Sequence, residues 1–216
     1  MPICAIVGAG PRIGSGLAHA FAREGFDIVL VSRTTTTTDP LAEAVRSGGR
    51  VAHQITFDTT DRDATIAGFA RIMAEVGLPD VVIYNPANMV MAAYSEVSPE
   101  EMQQTWPIMH YGAMNTVAGI LPSMIQRGSG TLILTGGGFG IDPSVTRAPH
   151  SIAKAALRNY AHGLHLELAE KGIHAGTVTV HRPIGEGDDM VQCANTFVEM
   201  HKESSGSWAW ERHYGK

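Results

Sequence analysis

Short runs of β-type apolar residues recur along the chain, separated by stretches with helical spacing. This alternation limits the fold more than any other feature. The runs are Ile3–Val7, Ile28–Val31, Val51–Ile55, Val81–Tyr84, Thr131–Thr135 and Gly176–Val180. Most are nearly continuous in apolar residues, as strands buried on both faces require. Helices are predicted between them at about 14–24, 40–47, 62–76, 99–127 and 149–171. Strand–helix–strand alternation of this kind predicts an α/β fold, a doubly wound parallel sheet with helices on both sides in three layers. A chain of 216 residues fits a single domain over 1–216, and no repeat or Pro/Gly-rich linker divides it.

The segment 185–216 has a different texture. Asp188 and Asp189 are placed to cap a short helix carrying Met190, Ala194, Phe197 and His201 along one side. "SWAWERHY" then alternates Trp208, Trp210, Arg212 and Tyr214, which predicts a last strand at a sheet edge or a subunit contact. The stretch from Arg182 to Gly206 is expected to cover a substrate pocket.

Composition narrows the function classes. Hydrophobic content is 44%, charged content 17% and the formal charge −5, with both signs interspersed. A globular protein is expected, without a nucleic-acid or anionic-membrane surface. No run is of membrane length and no signal-peptide core opens the chain. Cys4 and Cys193 are the two cysteines, and Cys4 falls in an apolar run, so a reducing, cytoplasmic setting is expected. "HGLH" puts His162 and His165 on one helix near Glu167, but no further residue completes a metal-ligand set.

"VGAGPRIGSG" joins the first strand to the first helix. Glycines there let the backbone turn tightly and approach a pyrophosphate at a helix N-terminus. This marks a Rossmann-like dinucleotide site. The second strand ends in "VLVSRTTTT", with Arg33 where an NAD site places an acidic residue. A guanidinium matches a 2′-phosphate in charge and shape, and Thr34 and Thr35 add donors, so NADP is the expected cofactor.

The order and spacing of several motifs resemble the short-chain dehydrogenase/reductase family over residues 1 to about 185. The glycine loop resembles G-x-x-x-G-x-G, with Gly8 first, Gly14 last and Arg12 at the middle glycine. Asp58 follows the third strand, "YNPA" (84–87) keeps Asn85 and Ala87 of the family N-N-A-G, and "LPSM", "AKAAL" and "EKGIHAGTVTV" follow in order. The resemblance implies a cofactor held by Gly8, Gly10, Arg12, Ile13, Gly14, Arg33, Thr34, Asp58, Asn85, Pro86, Ala87, Lys154 and Pro183. It implies a small carbonyl or alcohol substrate. A homodimer or homotetramer packing the helices at 99–127 and 149–171 is also expected.

Members of that family move hydride between nicotinamide and a carbonyl or alcohol carbon, using Tyr, Lys, Ser and Asn. Carried across, Lys falls on Lys154, Tyr on His150, Ser on Gly137 or Gly138, and Asn on Met109. The arrangement with Tyr seven residues before Lys also fails, because position 147 is Arg. His150 is then the catalytic candidate beside Lys154. Imidazole titrates near neutrality, and Lys154 should depress it, so His150 is expected neutral and better at accepting a proton from an alcohol than at donating one. Tyr84, Tyr111 and an amide nest at Gly136–Gly138 are other candidates, each set against core packing, exposure or a flexible turn. Two functions stay open: an NADP-dependent oxidoreductase with an atypical proton donor, or an NADP-binding sensor or regulatory subunit without hydride transfer.

Overall fold

The computed structural model describes residues 1–216. Strands β1 (Ile3–Val7), β2 (Asp27–Ser32), β3 (Ala52–Thr56), β4 (Val81–Tyr84), β5 (Gly130–Gly137), β6 (Ile173–Val180) and β7 (Glu211–Tyr214) form one sheet. Their order is β3-β2-β1-β4-β5-β6-β7, and every pairing is parallel. The chain therefore starts in the middle of the sheet and winds outward twice, as the alternation predicts. Its reversal point lies between β1 and β4, at whose carboxyl ends such sheets bind ligands.

Helices α1 (Ile13–Arg23), α2 (Asp39–Ser47), α3 (Arg62–Glu75), α4 (Pro99–Trp106), α5 (Gly112–Arg127), α6 (Ala148–Leu168) and α7 (Asp188–His201) complete the layers. Two cores result. Leu17, Phe21, Leu41 and Phe197 fill one face of the sheet, and Phe69, Ile72, Ile120 and Leu157 fill the other. Within β1, Cys4 and Ile6 point to the first core while Ile3, Ala5 and Val7 point to the second. A strand buried on both sides needs no polar alternation, which is why these runs read as continuous.

Some boundaries differ from expectation. The stretch 99–127 is not one regular helix. Ser98 opens α4 with a capping box to Glu101, but Pro107 has no N–H to give, and Pro107–Tyr111 follows as a π turn closed by Gly112 N–H on the Pro107 carbonyl. β5 continues past Thr135 to Gly137, because Gly136 and Gly137 pair with Thr179 and Val180. They are strand residues, not a flexible turn.

The last segment also needs correction. Gly187, not an aspartate, is the N-cap of α7, and Asp188 and Asp189 lie in its first turn. Met190 packs under α1, where a Cβ on Gly16 would fall 2.7 Å from its Cγ. Residues 188–201 are thus a core layer rather than a lid. β7 is shorter than "SWAWERHY" predicts. Trp208 and Trp210 precede it and stack on the rings of His174 and His162 at 5.1 and 4.2 Å.

Candidate functional site

Two adjoining cavities of about 670 and 660 Å³ run along the carboxyl edge of the sheet and share Gly10, Asn85 and Ala87. The glycine loop forms the wall between them. Gly8 has φ +77, in the left-handed region, and a Cβ there would fall 2.7 Å from the Pro86 ring. Its N–H and that of Ala9 donate to the Val31 carbonyl at 2.9 and 3.1 Å. Asn85 Nδ2 donates to the Gly8 carbonyl at 3.0 Å and so ties β4 to the loop. Gly14 sits so near Ala9 that a Cβ would lie 2.9 Å from its Cα. Gly10 has nothing within 4 Å of a Cβ position, so open space faces the loop ahead of α1. That is the form an anion cradle takes at a helix N-terminus.

The first cavity also holds Arg33, Thr34, Asp58, Pro86 and Thr37. Arg33 is exposed just past the end of β2 and lines this space. Asp58 Oδ1 accepts from the Thr60 N–H and hydroxyl, both at 2.9 Å, which holds the carboxylate at the rim.

The second cavity brings together Arg12, Ile13, Gly14, His150, Lys154 and Pro183 from the expected set. Lys154 is buried, and Nζ donates to the Thr135 carbonyl at 2.5 Å. Burial lowers its pKa to about 8. His150, one helical turn earlier, is also buried, with its ring edge toward Phe139 at 5.9 Å. Its Nδ1 lies 3.2 Å from the Asn88 carbonyl, which can only accept, so Nδ1 carries the proton and Nε2 the lone pair. Burial, then Lys154 and Arg147, outweigh that bond and push the imidazole down. The downward direction agrees with the sequence; burial, not Lys154, is its larger cause.

Tyr84, Tyr111 and Met109 line neither cavity. Tyr84 is fully buried, its hydroxyl donating to the Ile108 carbonyl, and burial pushes its phenol far up. Tyr111 lies half-exposed against Trp106. Met109 is buried in the π turn. Gly136 and Gly137 pair with β6 and, with Gly138, line the second cavity; their want of a side chain also serves packing. A Cβ on Gly136 would meet the Thr177 hydroxyl at 2.6 Å, and one on Gly137 would press on the Lys154 stem at 3.3 Å. The glycine run lets α6 lie close on β5.

Arg182 and Ile184 reach this cavity from the stretch expected to cover it, and His181, Phe139 and Arg147 line it beyond the expected residues. Arg147 lies over the Phe139 ring at 5.3 Å. From the segment after β6, only residues 181–184 reach the cavity, because Asp189 turns back to accept from Arg182, Tyr214 and the Gly185 N–H. The signal for His181 was present: it directly follows a strand at the edge where ligands bind. No group of three His, Cys, Asp or Glu is placed to hold a metal ion, and no helix is long and apolar enough to cross a membrane.

Comparison with known proteins agrees with this geometry. The short chain dehydrogenase profile matches residues 2–182. A curated relative, "Probable oxidoreductase EphD" of Mycobacterium tuberculosis (strain ATCC 25618 / H37Rv), is 26% identical over 177 residues. Those cover 82% of this chain but 30% of that protein's length. A gluconate 5-dehydrogenase from Burkholderia cenocepacia J2315, solved with NADP and tartrate, is 26% identical with a TM-score of 0.79, covering 83% of this chain and 71% of its own. A short-chain dehydrogenase from Rhodopseudomonas palustris superposes over 100% of this chain and 98% of its own, with a TM-score of 0.89 at 21% identity, and so supports the fold alone. With the profile spanning β1 to the end of β6 and the glycine loop at the sheet's reversal point, the chain belongs to the short-chain dehydrogenase family.

Proposed function

We propose that this protein is an NADP-dependent oxidoreductase that moves hydride between the nicotinamide and a small carbonyl or alcohol substrate, with imidazole in place of phenol as proton carrier. The observation that carries the reading is the continuous groove. It places the glycine cradle and Arg33 at one end, and Lys154 with neutral imidazoles at the other. When bound, the nicotinamide supplies or takes the hydride. Gly8, Gly10, Arg12, Ile13 and Gly14 would surround the pyrophosphate, Arg33 and Thr34 the 2′-phosphate, and Asp58 the adenine side. Asn85, Pro86, Ala87 and Pro183 would flank the remainder. Lys154 is placed to hold the nicotinamide ribose.

The family's Tyr, Ser and Asn positions fall on His150, on Gly137 or Gly138, and on Met109. A base with a lone pair facing the cavity suits alcohol oxidation, in which the residue must accept a proton. The gluconate 5-dehydrogenase solved with NADP supports the choice of coenzyme. Exposed Tyr111, Met114 and Leu166 on the outer helices support a homo-oligomer.

Calorimetry with NADPH and NADH, followed by NADPH oxidation with a panel of carbonyls, tests the reading. Heat with NADPH and slower turnover in Lys154→Ala and His150→Phe are expected. No heat with either coenzyme ends the reading. Heat together with identical rates in wild type and both variants leaves the sensor function standing instead.

A further inference from the structure

His181 directly follows β6, and its backbone N–H still donates to the Tyr214 carbonyl of β7 at 2.9 Å. The residue is thereby held at the sheet's carboxyl edge, in the cavity that holds His150 and Lys154. Its two nitrogens have different neighbours. Nε2 lies 2.8 Å from His213 Nδ1. Nδ1 is turned toward Gly138, where a Cβ would stand 2.9 Å from it. A side chain at 138 and this imidazole would claim the same space, so the glycine and the histidine form one arrangement.

A buried carboxylate sets the tautomers behind it. Glu211, with its side chain 5% exposed, accepts from Arg158 Nε at 2.8 Å, Arg158 Nη2 at 2.5 Å and the Thr179 hydroxyl at 2.5 Å. Oε2 lies 3.7 Å from His213 Nε2. A negative charge on that side favours the proton on His213 Nε2. His213 Nδ1 is then the acceptor, and His181 Nε2 must donate to it. The lone pair of His181 is left on Nδ1, at the cavity. His150 lacks such a continuation, because its Nδ1–H ends on the Asn88 carbonyl. Asp142 and Lys216 also face His181 with opposite charges.

We infer that His181 receives the substrate's proton and that His213 carries it out to solvent. The inference rests on the hydride-transfer reading and moves the base role within it from His150 to His181. In alcohol oxidation, the C–H bond breaks and its electron pair leaves as hydride to the oxidised nicotinamide coenzyme. The O–H bond breaks and its proton goes to His181 Nδ1 as the carbonyl forms. His181 Nε2 passes its own proton to His213 Nδ1. The resulting imidazolium faces Glu211, which stays ionised, and a side chain 33% exposed releases the proton to water. Ketone reduction runs the same path backward. His150 is left to orient the substrate oxygen through Nε2.

The test joins ring-nitrogen NMR, calorimetry and turnover on the full chain. In 15N spectra of the wild type, His181 should show a bare Nδ1 and a protonated Nε2. His213→Phe should mix the two tautomers while NADPH heat persists. With oxidised NADP and secondary alcohols (cyclohexanol and 1-phenylethanol), His181→Ala should lose about a hundredfold in turnover or more. Added imidazole should restore part of it, which a merely structural role would not allow. His213→Phe should lose about tenfold, because the proton path is cut behind the base. A protonated His181 Nδ1 in the wild type overturns the inference, as does full-rate oxidation by His181→Ala. Both results leave the oxidoreductase reading intact. Absent NADPH heat overturns that reading itself, and heat without turnover of any alcohol overturns both.

Discussion

Lys154 Nζ donates to the main-chain carbonyl of Thr135 at 2.5 Å, so the one buried ammonium of the cavity is anchored to the strand beside it. The anchor sets its direction but does not replace the water lost on burial, and its pKa falls to about 8. In the unfolded chain it returns to the ordinary lysine value. Between those values the unfolded chain binds more protons, so stability rises with pH across that window. Below it the penalty is fully present. Lys154→Met should therefore raise stability at pH 7 by about 2 kcal/mol, several degrees in melting temperature, while weakening NADPH binding. A melting curve and a calorimetric titration of the same sample check both.

Arg33 should govern which coenzyme binds. Arg33→Ala is expected to weaken NADPH by about 10- to 100-fold, the worth of a charge-assisted bond to phosphate. NADH affinity should hardly change. Equal losses for the two coenzymes in parallel titrations would assign Arg33 no part in reading the 2′-phosphate.

Oxidation and reduction should differ in their response to pH. The imidazole of His181, the base, is pushed below the usual histidine range, first by burial and then by His213. Alcohol oxidation should rise on a limb below that range, and neither direction should show a limb near about 10, where a phenol would titrate. Rate profiles from acid to alkaline pH measure this, and a limb near about 10 would point to a tyrosine.

Gly138→Ser puts back a hydroxyl of the family type, yet it should not help. A Cβ there enters the space of His181 Nδ1. The expected result is a loss of about 1–3 kcal/mol in stability, as in other overpacked sites, together with lower turnover. Improved turnover would show that the ring can leave without cost.

Glu211 should matter at acid pH. Its burial raises the carboxyl pKa, but the bonds from Arg158 and Thr179 outweigh that and hold it below the ordinary range. This contribution is present above the unfolded value and is lost as pH falls through the lowered one. Glu211→Gln should cost about 2 kcal/mol at neutral pH, less than a fully buried pair because Arg158 is 34% exposed. The difference from wild type should shrink in acid, as pH-dependent melting will show.

The parallel sheet was legible because β1, β2 and β4 are apolar on both faces, and period alone needs no tertiary information. The glycine loop was legible for the same local reason: Gly8 marks a positive φ and Gly14 a close approach. The π turn at Pro107–Tyr111 was not, because a helical pattern continues through it and only the missing Pro107 N–H shifts the register. Nor was the role of residues 188–201 as a core layer. Met190 and Phe197 show an apolar side, but the side does not say what it will cover. The place of His181 at a strand end was legible, but its partnership with His213 was not, because only the pairing of β6 with β7 brings the two together.

That pairing has a consequence for how the protein is made. The ribosome produces β7 after all the other strands, yet β7 carries both the imidazole and the carboxylate behind His181. The glycine loop is made first, but Gly16 packs on Met190 of α7, which is made shortly before β7. The seat of the loop and the ring behind His181 are therefore completed almost together.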